Sequence, residues 1–179
     1  VPSDSLALPS LAPATPEAIY QMVAIYADCA DLAQIWKWSD DPRISGITTN
    51  PSLMKKAGIA NYREFARQVL DRVKTKPVSF EVLSDDWAEM ADQARVLDAL
   101  GPNVYVKIPI TNTKGESSKA LIAELADLNL NITAITTSAQ LRHIAHLLRK
   151  DHIASIFVGR IMDTGRRPQR FRSIYCKLL

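Results

Sequence analysis

Residues 103–110 read NVYVKIPI. Val104, Val106 and Ile108 alternate with Tyr105 and Lys107. Side chains two apart on a strand share a face. The stretch therefore predicts a strand with an aliphatic side and a side carrying a lysine. A lysine in mid-strand is costly, because lysine is almost never buried without a partner. Two readings follow. In one, an ion pair with Glu81 or Asp28 holds Lys107. In the other, Lys107 is a desolvated amine that attacks a carbonyl and forms a Schiff base.

Similar runs lie on both sides. MVAIYAD (22–28), ISGITT (44–49), PVSFEVL (77–83), LNITAIT (130–136) and HIASIFV (152–158) also read as strands. Helical apolar spacing fills the gaps: 52–73, a stretch capped by Ser84 and Asp85 and ending at Gly101, one ending at Asn129, and 138–150. Strand starts fall 22 to 33 residues apart, close to one βα unit each. Strand and helix in alternation predict parallel strands with right-handed crossovers. The fold class is α/β, either an open doubly wound sheet or a (β/α)8 barrel. With six glycines and no GxGxxG or GxxxxGK[ST] run, the nucleotide folds gain no motif support.

Polar residues on one face of each strand favour the barrel. A strand buried on both faces should be apolar throughout. Here Asp28 shares a face with Tyr26, Glu81 with Ser79, Lys107 with Tyr105, Asn131 with Thr133 and Ser155 with Phe157, and Asn50 follows Thr48. Ile25, Ile47, Val82, Val104, Val106, Ile108, Ile132 and Ala134 take the other face. In a (β/α)8 barrel the polar set points inward, and the C-terminal mouth is where sites form. Lys107 with two carboxylates, two asparagines and a threonine at strand ends forms a constellation suited to amine and proton-transfer chemistry.

The composition bounds the alternatives. At 179 residues, 47% hydrophobic and 23% charged, the chain fits one globular domain, not a disordered or collagen-like one. No uncharged apolar run reaches the ~18 residues of a membrane helix. The two cysteines, Cys29 and Cys176, make no disulfide scaffold and read as free thiols in a reducing, cytoplasmic compartment. The net charge of +3 gathers between Arg160 and Leu179, which carry +5 against −2 elsewhere. No aromatic-interleaved basic patch accompanies it, so nucleic acid is not an expected partner. His143 and His146, three apart on a helix with His152 close in sequence, read as an exposed helix face, not metal ligands. Trp36 and Trp38 read as packing of the first helix. Residues 1–20, with prolines at 2, 9, 13 and 16, read as a flexible leader without the pattern of a secretory signal. Residues 21–168 are the β/α-barrel domain and 169–179 a basic irregular tail.

In order and spacing, these segments resemble the transaldolase family of Schiff-base aldol enzymes, its short-chain branch above all. The resemblance rests on IYADCADLAQI (25–35), ITTNPSLMKKAG (47–58), SFEV (79–82), NVYVKIPIT (103–111) with Gly115, NIT (131–133) with Gln140, and SIFVGRIMDTG (155–165). It implies that Lys107 attacks the C2 carbonyl of a ketose phosphate. Glu81, with a water held by Thr133, would shuttle protons, and Asp28 would act on the C4 hydroxyl. Asn50 and Asn131 would hold the hydroxyls of the dihydroxyacetone unit, and Ser155 and Arg160 the phosphate.

The implied reaction moves dihydroxyacetone from sedoheptulose 7-phosphate or fructose 6-phosphate to an aldose phosphate, in the non-oxidative pentose phosphate pathway. It implies no metal or cofactor and leaves room for a homo-oligomer. A fructose 6-phosphate aldolase on the same scaffold is the alternative; Glu81 and Phe157 resemble the transferase pattern. A complete barrel takes eight strands, and about six of eight units are read here. A truncated, non-catalytic fragment of such an enzyme is therefore the alternative of another class.

Overall fold

The computed structural model of the chain describes residues 24–156 and 176–177. The expected leader (1–20), Phe157, Arg160 and all of 169–179 except Cys176–Lys177 lie outside the described residues.

Among the described residues six parallel strands run in chain order: β1 (Tyr26–Asp28), β2 (Gly46–Thr48), β3 (Val78–Glu81), β4 (Val104–Pro109), β5 (Leu130–Ile135) and β6 (Ile153–Ile156). A short β7 (Cys176–Lys177) pairs antiparallel with β6, inside the stretch read as an irregular tail. The helices between the parallel strands are α1 (Leu32–Asp40), α2 (Pro51–Lys56), α3 (Tyr62–Arg72), α4 (Trp87–Asp98), α5 (Lys119–Glu124) and α6 (Ser138–Ile144), with a 3₁₀ turn at Ala145–Leu147. Sequential parallel pairing with helical crossovers is the build of a (β/α)8 barrel, and the six strands form part of one.

Short polar side chains start the helices by accepting their first free N–H groups. Asp31 accepts from Gln34, Asn61 from Glu64, and Asp86 from Ala88 and Glu89. Thr137 and Gln140 form a reciprocal capping box. The cap of α4 is thus Asp86, not Ser84 or Asp85. Ser84 instead binds the N–H of Asp86 and the Glu89 carboxylate. Asp85 reaches across to the N–H and hydroxyl of Thr113.

The single helix expected over 52–73 is two. Gly58 takes a positive φ of 72° that ends α2, and Asn61 then caps α3. The helix expected to end at Asn129 closes earlier, at Glu124.

The core fills the space between sheet and helices. Val104, Val106, Ile108 and Ile132 face it from the strands, and Phe65, Val69, Met90, Ala94 and Ile122 from the helices. Trp36 and Trp38 pack against it from α1, as expected. One aliphatic position moves. A register irregularity lies between Ile132 and Ile135, with Ala134 at φ 62°. The extra residue rephases the strand, so Ala134 is exposed and Ile135 enters the core.

Candidate functional site

The register brings the predicted residues to one face. Asp28 lies opposite Thr48, and Thr48 opposite Ser79. Glu81 lies opposite Lys107, and Lys107 opposite Asn131. Neighbours at one register position of a parallel sheet point the same way, so these side chains share the inner surface.

Below them the surface is apolar. Tyr26 and Ile153 pack together with Ala24 and Tyr105. Gly46 makes room for this floor. A Cβ there would come within 2.2 Å of the Tyr26 ring and 2.8 Å of the Pro77 carbonyl.

Above the floor runs a buried polar chain. Ser155 Oγ donates to Asn131 Oδ1 over 2.5 Å, and Asn131 Nδ2 donates to Ser79 Oγ over 3.0 Å. These contacts fix which way the Asn131 amide points. The hydroxyl of Thr48, also buried, has no hydrogen-bond partner among the described residues.

Lys107 is 4% exposed. Its Nζ donates to the Thr49 carbonyl over 2.9 Å and lies 3.2 Å from Glu81 Oε2. The ion pair that the strand pattern allowed thus forms with Glu81. It does not exclude the chemical role, because a carboxylate at this distance can take a proton from an amine and return it.

Asp28 ends β1 at the mouth and keeps an exposed edge. Its proton affinity is raised, chiefly by the protein packed around it. Lys107 opposes that rise and Glu81 adds to it. Next to it, burial pushes the Cys29 thiol up to about 11, with Asp28 and Asp31 adding to the effect. That keeps the sulfur protonated and unreactive near neutral pH.

Thr133 is buried within β5, before the irregularity at Ala134, and paired in register with Pro109. Asn50 caps α2 through its side-chain oxygen, which accepts from the Leu53 N–H over 2.9 Å. Of the predicted set, Asp28 closes β1 within reach of the charges of Lys107 and Glu81, Thr133 lies inside β5, and Asn50 follows β2 as the cap of α2. Ser155 joins the set through Asn131.

Sequence reasoning missed two participants. One is the Thr49 carbonyl, a main-chain group that no residue pattern reports. The other is Tyr62, whose hydroxyl binds both the N–H and the C=O of Glu81. The expected exposed histidine face holds for His143 and His146, while His152, close to them in sequence, is 1% exposed just before β6. A groove of about 470 Å³ between the starts of α1 and α3 includes none of the candidate residues.

Residues 25–175 match the family described as transaldolase/fructose-6-phosphate aldolase. A protein of Clostridium kluyveri called a probable transaldolase is 36% identical over 143 residues, covering 79% of this chain and 63% of that protein. One of Dehalococcoides mccartyi with the same name is 35% identical over 141 residues, covering 79% and 63%. Another, of Mesorhizobium japonicum, is 33% identical over 156 residues, covering 84% and 68%. The chain spans just under two thirds of the first two relatives.

Proposed function

The chain belongs to the transaldolase/fructose-6-phosphate aldolase family, and on that premise we propose that Lys107 carries a dihydroxyacetone unit as a Schiff base between sugar phosphates. The observation that carries this reading is the buried Lys107 Nζ, 3.2 Å from Glu81 and facing a cluster of hydrogen-bonding side chains.

Glu81 takes a proton from Lys107. The neutral amine adds to C2 of a ketose phosphate: the C–N bond forms as the C=O π bond breaks, and Glu81 gives its proton to the oxyanion and takes another from the nitrogen. Glu81 returns the proton to the carbinolamine hydroxyl, which leaves as water, with Thr133 orienting it. The iminium then acts as the electron sink. Asp28 takes the proton of the C4 hydroxyl, the C3–C4 bond breaks, and its electron pair forms an enamine as the aldehyde departs. A second aldose phosphate enters, C3 of the enamine attacks its carbonyl, and Asp28 returns the proton. Hydration of the new iminium releases the product ketose.

Asn131, oriented by Ser79 and Ser155, is given the hydroxyls of the three-carbon unit. Asn50 adds a donor at the rim. Arg160, on the strength of guanidinium chemistry, and Ser155 are assigned the phosphate, and Phe157 a place beside the substrate. The donors are sedoheptulose 7-phosphate or fructose 6-phosphate, which places the reaction in the non-oxidative pentose phosphate pathway. The free thiol of Cys29 fits a cytoplasmic setting. No helix among the described residues is long and apolar enough to cross a membrane.

The test is borohydride trapping of the full chain with fructose 6-phosphate, read by intact mass, with Lys107→Ala alongside. A three-carbon adduct on the parent and none on the variant is the expected result. A cooperatively folded parent that gains no adduct overturns the reading. The family description also covers the lyase alternative. Release of free dihydroxyacetone without an acceptor aldose would favour it over transfer.

A further inference from the structure

We propose that Tyr62 is a positioning residue, whose hydroxyl replaces a missing strand residue and holds Glu81 in register with Lys107. The inference rests on the proposed role of Glu81.

The sheet has a gap at this point. β2 ends at Thr48, and one more inter-strand bond follows, from the Thr49 N–H to the Ser79 carbonyl at 3.2 Å. The chain then turns into α2. Along β3, Val78 and Val82 bond toward β4, donating to Asn103 and Lys107. Ser79 and Glu81 therefore face β2. For Ser79 a partner is there; for Glu81 the strand has already left.

Buried main-chain groups do not go unpaired without cost. Tyr62, the first residue of α3, fills the place. The Glu81 N–H donates to its oxygen over 2.8 Å, and its O–H donates to the Glu81 carbonyl over 2.9 Å. One phenol oxygen thus acts as donor and acceptor, as a strand residue would.

The phenol is itself held. Its ring meets Phe80 edge-on, with centroids 6.0 Å apart and planes at 63°. Phe80 is wholly buried. Burial raises the proton affinity of the phenol well above its ordinary range, the hydrogen bond to Glu81 opposes the rise, and the Glu81 charge adds to it. The O–H stays intact, and the donated bond persists, at any pH the protein meets.

The carboxylate that faces Lys107 thus springs from a backbone pinned on both sides. β4 holds Val82 and Tyr62 holds Glu81. Among the described residues, the hydroxyl of Tyr62 bonds to Glu81 and its ring meets Phe80, so its effect passes through Glu81.

Tyr62→Phe deletes one oxygen. With the full chain and fructose 6-phosphate, the expected result is a ~10- to 100-fold slower rate of adduct formation, with KM within about twofold. In the Glu81→Gln background the same change should cost nothing further. Equal losses in both backgrounds, a rise in KM at unchanged kcat, or no change at all would overturn the proposal.

Amide hydrogen exchange on the parent needs neither a variant nor activity. The Glu81 N–H should be protected as strongly as that of Ser79, and a freely exchanging Glu81 overturns the inference. If the parent forms no adduct while Glu81 is protected, the Schiff-base reading fails and the strand-replacing contact stands.

Discussion

The ammonium of Lys107 donates to the main-chain carbonyl of Thr49 over 2.9 Å, where β2 stops pairing. That bond and the Glu81 carboxylate hold the nitrogen at one end of its reach. Lys107→Met keeps the buried stem and removes both contacts, leaving Glu81 half-buried without its cation. A stability loss of about 1–3 kcal/mol is expected. Adding Glu81→Leu should recover most of it, because the orphaned charge is then gone. Urea unfolding of the two variants checks this, and a double variant weaker than the single would contradict it.

Asp28 is given the proton of the C4 hydroxyl. Asp28→Asn should therefore form the iminium and stall before the C3–C4 bond breaks. Borohydride should then trap a six-carbon phosphorylated adduct where the parent gives a three-carbon one. Intact mass distinguishes the two, and a three-carbon adduct on the variant would remove Asp28 from bond cleavage.

Gly46 faces Tyr26, and any Cβ collides with its ring and with the Pro77 carbonyl. Gly46→Ala should cost about 2–3 kcal/mol. Tyr26→Leu in that background should recover part of the loss, because the Pro77 clash remains. Denaturant midpoints of the parent and the two variants provide the comparison.

Ala134 sits at φ 62°, where an L side chain meets its own carbonyl. It is exposed, so its methyl contributes little packing. Ala134→Gly should stabilise the chain by about 0.5–1 kcal/mol. A lower melting temperature would show that the methyl matters more than the strain.

His152 is buried and neutral. Its Nε2–H donates to the Leu128 carbonyl, and its Nδ1 accepts from the Arg149 N–H. Burial depresses its proton affinity below the ordinary 6.5, and the nearby Arg149 acts in the same direction. The Leu128 hydrogen bond and the Asp151 charge oppose it. The unfolded chain therefore takes the proton first as pH falls. Stability is full above the ordinary value and drops as pH descends through the folded one. His152→Gln, which does not titrate, should flatten that slope as pH falls below the ordinary 6.5 in urea unfolding.

The alternation of NVYVKIPI and its neighbours made the parallel strands and the inner polar face legible, because period-two spacing survives in a single sequence. Lys107, Glu81, Asn131 and Ser155 could each be named from their strands. Their contacts could not, because the Ser155–Asn131–Ser79 chain depends on pairings far apart along the chain. Ala134 was assigned to the core because nothing in LNITAI marks the extra residue. Tyr62 carries no signal, since the use of its hydroxyl depends on where β2 happens to end. The run Ser84-Asp85-Asp86 offers three capping side chains, and only the geometry shows that the last one serves.

Asn50 spends its oxygen on the first turn of α2, which leaves its NH2 as the hand it can extend toward the mouth. On the proposed role of Asn50, the helix thereby sets the polarity of recognition at this rim. A visitor is greeted with hydrogens and must bring lone pairs. Asn50→Asp would keep the helix start and reverse the greeting, a change in what is welcomed, not in what is built.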